Sequence, residues 1–320
     1  MSTESHCGFS TETLVVTEDS TSLPESVRHL PGAPIPILLF AKFPLPGRVK
    51  TRVARTIGET DATRLASALL YDSVTRFSAI EGAPLWLFGD TSTFDPFRPI
   101  VGREISYRDQ GEGSLGDRLR RAFADPPEGA AGVIAIGADA PHLDPAVLAE
   151  AAAVVRSGRA ALGPAQDGGF YLIGVPCGAF DLGALFPETG WGEAEVLAHT
   201  RKVLGKPLRG AFSSGEVPAS QGEAAASSGE GVPQAGERST AGPGIPPWHE
   251  FPPVRDIDEW SDVVELARLI LPDRGEDPCP LPSELLRTAP LVAELLARFG
   301  PLDPGEGAPG RAEADSPEGA

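Results

Sequence analysis

Lysine is scarce in this sequence. Of 27 basic residues, only Lys42, Lys50, Lys202 and Lys206 are lysines. Cysteine is scarcer: Cys7, Cys177 and Cys279 are odd in number, far apart and without ligand spacing. That excludes a disulfide framework and a structural zinc site, and points to reduced thiols and a cytoplasmic protein. No run approaches the roughly 18–20 apolar residues that a bilayer span requires. Met1 to Pro31 is rich in Ser and Thr and acidic, without the apolar centre of a signal peptide. Positive charge is in deficit overall, with a formal net charge of -18. A general nucleic-acid binder would show a broad basic face, and an anionic membrane surface would repel such a chain. Walker A, H-E-x-x-H and G-x-S-x-G motifs are absent. His142, His199 and His249 are scattered, and none reads as a catalytic base.

Against this acidic background one stretch stands apart. Ala41 to Arg55 reads AKFPLPGRVKTRVAR and follows the apolar run from Ile35 to Phe40. It is a loop broken by Pro and by Gly47, with Lys42, Arg48, Lys50, Arg52 and Arg55 and no acid. Two of the four lysines lie in it. A cluster of one sign suits a small polyanion, most simply a nucleotide pyrophosphate. Lysine, a compact point charge with rotatable donors, suits phosphate contacts that need no planar fork.

Composition divides the chain of 320 residues. Residues 1–33, 211–247 and 301–320 read as disordered. In 211–247, Gly, Ser, Pro and Ala supply 25 of 37 residues, too little apolar surface to offset the entropy of ordering. What remains, 34–210 with 248–300, has the size of one α/β domain carrying a long surface-loop insertion. Its pattern alternates. Strands are expected at Ile35–Ala41, Pro84–Gly89, Glu104–Tyr107, Gly132–Gly137, Ala160–Gly163, Phe170–Val175 and Val254–Ile257. Helices are expected at Asp61–Phe77, Leu115–Ala124, Pro145–Arg156 (capped by Asp144), Glu193–Leu204, Glu259–Ile270 and Ser283–Phe299. This alternation predicts right-handed crossovers, a mostly parallel sheet and a ligand at the carboxyl ends of its strands.

Three acids fall where strands run out: Asp90, Asp139 and Asp167. The open-sheet rule brings all three to the edge that carries the basic loop. Carboxylates beside a phosphate site make sense if Mg2+ or Mn2+ bridges them. Asp139 is alternatively a cap near Pro141, Asp167 a turn residue of the Asp-Gly-Gly type, and Asp90 a common strand exit. Gly168 and Gly169 allow close backbone approach or positive φ. The glycine-rich stretch from Gln110 to Arg118 feeds a helix whose first amides can receive an anion or simply form an ordinary helix entry.

These segments resemble a known family. Phe40 to Arg52, Ile136-Gly137-Ala138-Asp139-Ala140-Pro141, Gly163 to Gly174, Trp191-Gly192 and Asp256-Ile257-Asp258 are together similar to the bacterial radical-SAM/selenodomain-associated transferases, of GT-A glycosyltransferase type. The resemblance implies a nucleotide-diphospho-sugar transferase fold over about residues 35–270 apart from the insertion. It implies that Lys42, Gly47, Arg48, Lys50 and Arg52, with Gly168 and Gly169, hold the nucleotide phosphates. It also implies that Asp139 takes the place of the metal-binding acid, and that Asp167 is a second metal ligand or the base that activates an acceptor hydroxyl. This chain has Asp139-Ala140-Pro141 where the family pattern has Asp-x-Asp, so the second carboxylate is absent.

The expected function is a metal-assisted glycosyltransferase, with a nucleotide-sugar donor and an unknown acceptor. The Gly-Arg-Val-Lys-Thr-Arg loop also looks like that of phospholactate guanylyltransferases. That supports an alternative, a nucleotidyltransferase joining a nucleoside triphosphate to a phosphorylated small molecule. A second alternative is a nucleotide-binding protein without turnover.

Overall fold

The computed structural model describes residues 32–187, 195–207, 247–271 and 285–300. All but the ends of the expected 1–33 tail and 211–247 insertion, the whole 301–320 tail, Trp191-Gly192, Cys7 and Cys279 lie outside the described residues. So do the expected starts of two helices, at Glu193 and Ser283.

The elements run β1 (Ile37–Phe40), α1 (Thr51–Ile57), α2 (Glu59–Phe77), β2 (Leu85–Gly89), α3 (Arg98–Val101), β3 (Ser106–Asp109), α4 (Leu115–Ala124), β4 (Gly132–Gly137), α5 (Pro145–Arg156), β5 (Ala160–Pro164), β6 (Phe170–Pro176), α6 (Leu182–Leu185), α7 (Val196–Leu204), β7 (Trp248–Glu250), α8 (Trp260–Ile270) and α9 (Thr288–Phe299). The strands form one sheet in the order β3-β2-β1-β4-β6-β5-β7. Only β6 runs against the rest, pairing antiparallel with β4 and β5.

Side chains alternate across this sheet with period two. Ile37, Leu39, Leu87, Ile134 and Ile136 pack on one face against Val74 and Phe77 of α2 and Ala152 and Val155 of α5. Leu38, Phe88, Val133, Ala135 and Ile173 pack on the other against Leu119 and Phe123 of α4 and Leu204 of α7. Both faces of the central strands are covered, which is why their sequences are apolar throughout. A further cluster joins α1, α2, α8 and α9 through Val53, Ile57, Leu65, Trp260, Val263 and Val292. Asp72, fully buried on α2, accepts from the amides of Thr288 (2.7 Å) and Arg287 and so caps α9 from another helix.

Three expectations are corrected. The basic loop ends at Lys50, not Arg55. Val53 and Ile57, one turn apart, are buried in the all-helical cluster and draw Thr51–Ile57 into a helix. The final strand is Trp248–Glu250 rather than Val254–Ile257. Pro252 and Pro253 lack amide donors, and beyond them Val254 makes only an isolated bridge to Ala165. The third strand lies two residues later than expected, at Ser106–Asp109, in parallel register with Trp86–Gly89.

Candidate active site

The strands β1, β2, β3, β4 and β5 share one direction, so the loops that follow them meet at one edge of the sheet. Phe40 pairs with Gly137 at that edge. The segment after β1 brings the basic residues there, and the turn after β4 brings Asp139. Between them lies a cleft of about 540 Å³, lined by Lys42, Arg48, Lys50, Arg52, Gln110, Gly113, Leu115, Arg118, Gly137, Asp139 and Asp258.

Lys50 is the pivot. Its backbone is left-handed (φ 46°), the only such non-glycine among the described residues, a conformation that costs a β-carbon-bearing residue roughly 1 kcal/mol or more. The strained residue turns the loop into α1 and drives its side chain inward, leaving it 5 % exposed. The ammonium donates to the Ile257 carbonyl (2.6 Å), pairs with Asp139 Oδ1 (2.8 Å) and reaches Asp258 Oδ1 (3.5 Å). Its three hydrogens therefore have three acceptors. Burial works against the charged form, but Asp139 first, and then Asp258 and Asp256, outweigh it and raise the Lys50 pKa above its usual value.

Asp256 is the complementary group. Burial, and then the charges of Asp139 and Asp167, push its carboxyl up to about 7, with Lys50 pulling the other way. Asp139 and Asp167 thus both lie near enough to act on Asp256. Among the described residues no three acids, histidines or cysteines are gathered tightly enough to form an all-protein metal cage.

The other expected residues are placed as follows. Lys42 and Arg48 are exposed on the cleft wall and have no ion-pair partner among the described residues. Arg52 sits on α1, 3.8 Å from Asp258. Gly47, at φ 74°, shapes the loop without lining the cleft. Asp167, Gly168 and Gly169 form the turn between β5 and β6 outside the cleft wall. Asp167 Oδ1 accepts from the Gly169 amide (2.9 Å), and Gly168 takes φ 96°, which calls for glycine. Asp90 holds the basic loop in place by accepting from the Phe43 amide (2.5 Å). The glycine-rich stretch before α4 closes on itself: Ser114 and Asp117 form a reciprocal capping box. His142 is kept neutral by burial and by Arg76, its pKa falling to about 4.

Sequence reasoning gave no role to three residues. Asp256 and Asp258 were visible only as a motif flanking Ile257. Gln110, buried, donates to the carbonyls of Ala41 (3.0 Å) and Phe88 (3.2 Å) and accepts from Arg118 (3.0 Å). It ties the ends of β1, β2 and β3 to the cleft wall. A buried glutamine at the end of a polar strand carries no distinguishing sequence signal.

Residues 74–193 match a family described as an uncharacterized protein conserved in bacteria (DUF2064). No curated protein matches. Among solved structures, the chain is similar to a candidate nucleotide-diphospho-sugar transferase from Desulfovibrio desulfuricans G20. The match has 23 % identity and a TM-score of 0.59, and covers 81 % of this chain and 97 % of that one. More distant matches are Rv0371c from Mycobacterium tuberculosis H37Rv (17 % identity, TM-score 0.38, 74 % and 98 % coverage) and 4-diphosphocytidyl-2C-methyl-D-erythritol synthase from Anaerococcus prevotii DSM 20548 (10 %, 0.34, 52 % and 84 %). The fold is a mixed α/β domain of GT-A type, like that of nucleotide-diphospho-sugar transferases. No helix among the described residues is long and apolar enough to cross a membrane.

Proposed function

We propose that this chain is a cytoplasmic transferase acting on a nucleotide-activated donor, and that the donor is a nucleotide-diphospho-sugar, as in the radical-SAM/selenodomain-associated transferases its motifs resemble. The observation that supports this reading is the cleft at the carboxyl edge of the sheet, where cations and acids from distant parts of the chain meet. Lys42 and Arg48 are the residues best free to meet a diphosphate, because the ammonium of Lys50 is already shared among three acceptors. Lys50 instead holds Asp139 in position, and Arg52 adds charge at the cleft's α1 side. In the turn after β5, which Gly168 and Gly169 allow to form, Asp167 takes the proton of the acceptor hydroxyl.

The donor set fits one Mg2+ or Mn2+ shared with substrate phosphates rather than a closed protein cage. Asp139 is half exposed with only one oxygen taken by Lys50, and Asp167 is exposed nearby. Burial first, and then the charges of Asp139 and Asp167, raise Asp256. When bound, such a cation neutralises charge on the departing diphosphate. The chain's own part is positioning and electrostatic stabilisation of that leaving group.

The test is a thermal-shift screen of nucleotide-sugars and nucleoside triphosphates, with and without Mn2+. A ligand at 100 times its Kd stabilises by about 2.7 kcal/mol. Lys42→Ala/Arg48→Ala abolishes the shift, and Asp139→Asn removes its metal-dependent part. Release of nucleoside diphosphate from a nucleotide-sugar identifies glycosyl transfer. Release of pyrophosphate from a triphosphate identifies the guanylyltransferase-like alternative, and binding without turnover the non-catalytic one. If no nucleotide shifts the protein, the reading fails.

A further inference from the structure

Beside the first cleft lies a second, of about 470 Å³, between α1 and α8. Its walls carry Arg52, Arg55, Arg255 and Arg268, with Trp260 at its floor. Arg52 lines both clefts. The two helices build this wall from one face each. Arg52 and Arg55 are three apart on α1, which carries no acid, and Trp260, Val264 and Arg268 recur every four residues on α8. Two acids share the lining, and both are engaged. Glu259 receives the Asp262 amide in the α8 capping box, and Glu265 pairs with Arg268 (2.6 Å). Arg255 is held by Gln166 Oε1 (3.0 Å) and Asp262 (3.3 Å). Among the described residues, Arg55 has no ion-pair partner.

Four guanidinium groups and no lysine line this cleft in a chain of net charge -18; Arg52, Arg255 and Arg268 each share an acid, and Arg55 beside them presents a planar fork suited to bidentate contact with a tetrahedral oxyanion. The first cleft, by contrast, includes two lysines. We infer that the α1–α8 cleft binds a phosphomonoester group carried by the acceptor substrate, with Arg52 standing between that group and the donor's diphosphate. The inference rests on the transferase reading for its use of the word acceptor. The cleft itself binds phosphomonoester whether or not that reading holds.

The experiment titrates glycerol 3-phosphate, with glycerol as the uncharged control, into the full chain by calorimetry, alone and with saturating nucleoside diphosphate. Wild type binds glycerol 3-phosphate and not glycerol, with a Kd changed less than threefold by the nucleotide. Arg55→Ala/Arg268→Ala weakens glycerol 3-phosphate at least tenfold and leaves nucleoside diphosphate within twofold. Both side chains lie on the surface, and an unchanged Tm verifies that the variant is folded. Lys42→Ala/Arg48→Ala gives the reverse pattern. Four results overturn the inference: no glycerol 3-phosphate binding by wild type, equal binding of inorganic phosphate with no preference for the ester, displacement of the ester by nucleotide, or an unaffected Arg55→Ala/Arg268→Ala variant. If nucleotide fails to bind anywhere, the transferase reading falls, and the glycerol 3-phosphate arm still decides this cleft by itself.

Discussion

Replacing Lys50 by Met keeps the apolar stem and removes the charge, and so isolates the contact on which the cleft is organised. At 2.8 Å and an effective dielectric of about 20, the attraction to Asp139 is about 6 kcal/mol before desolvation is counted. Burying the ammonium takes back much of this. Asp139, with 48 % of its side chain exposed, is partly screened, which lowers the gain further. Removal also leaves the Ile257 carbonyl without its donor and Asp139 without its 2.8 Å counter-ion, while Asp258 keeps Arg52. Breaking a buried pair costs about 3–5 kcal/mol, and the half-exposed partner puts Lys50→Met near about 3 kcal/mol. Urea denaturation measures it, with Asp139→Asn and the double variant completing a cycle. The Lys50 pKa is raised by its partners, so this stabilisation is fully present below the ordinary value of 10.5 and is lost only as pH rises through the higher folded value. The wild-type advantage attributable to Lys50 therefore does not fall between pH 8 and pH 9.5. A loss under about 0.5 kcal/mol, the worth of an exposed pair, or zero coupling in the cycle, refutes the buried-counter-ion argument.

The backbone of Lys50 makes a separate prediction: Lys50→Gly is more stable than Lys50→Ala by about 1 kcal/mol, because only the alanine pays for a left-handed φ; equal stabilities would mean the loop relaxes. Asp256 titrates near 7 against 3.8 when unperturbed, so the unfolded chain loses this proton first and wild-type stability falls as pH rises between those values. Asp256→Asn removes that dependence and is the more stable protein at pH 8, by at most about 4 kcal/mol; parallel stability curves from pH 4.5 to 8 would contradict the assignment. Gln110→Leu strands the buried Ala41 carbonyl, while the Phe88 carbonyl keeps the Ala41 amide, and costs about 1–3 kcal/mol by urea denaturation; a loss below about 0.5 kcal/mol would show that the strand ends do not depend on it.

The sheet was legible because the central strands are sandwiched. Gly132–Gly137 is apolar at every position, and both faces prove to be covered. The same criterion missed what is covered on one side only. α1 was concealed by its charges: Val53 and Ile57 are too few to register as a period until α8 and α9 supply the surface they bury against. β7 was misplaced because Val254 and Ile257 are the more strand-like residues. Pairing with β5 instead selects Trp248–Glu250, where the backbone still has amides to give.

The site was legible in its charge but not in its connectivity. Sequence placed Lys50 and Asp139 at one edge, and they prove to be in contact. It assigned Lys50 to phosphate for its compact, rotatable charge, and its protein partners were not visible. The partners come from Ile257 and Asp258, more than 200 residues onward. That distance also bears on the missing second carboxylate of Asp139-Ala140-Pro141. Ala140 is buried, so an acid there would carry its charge into the core beside Asp139. Asp258 reaches the same ammonium from across the cleft while half exposed, so its charge stays partly in water. The acids at this edge therefore come from two chain segments that Lys50 bridges. The geometry of the acids depends on the docking of the Asp256–Asp258 segment, so a substitution that loosens α8 should disturb the cleft as much as one made within it.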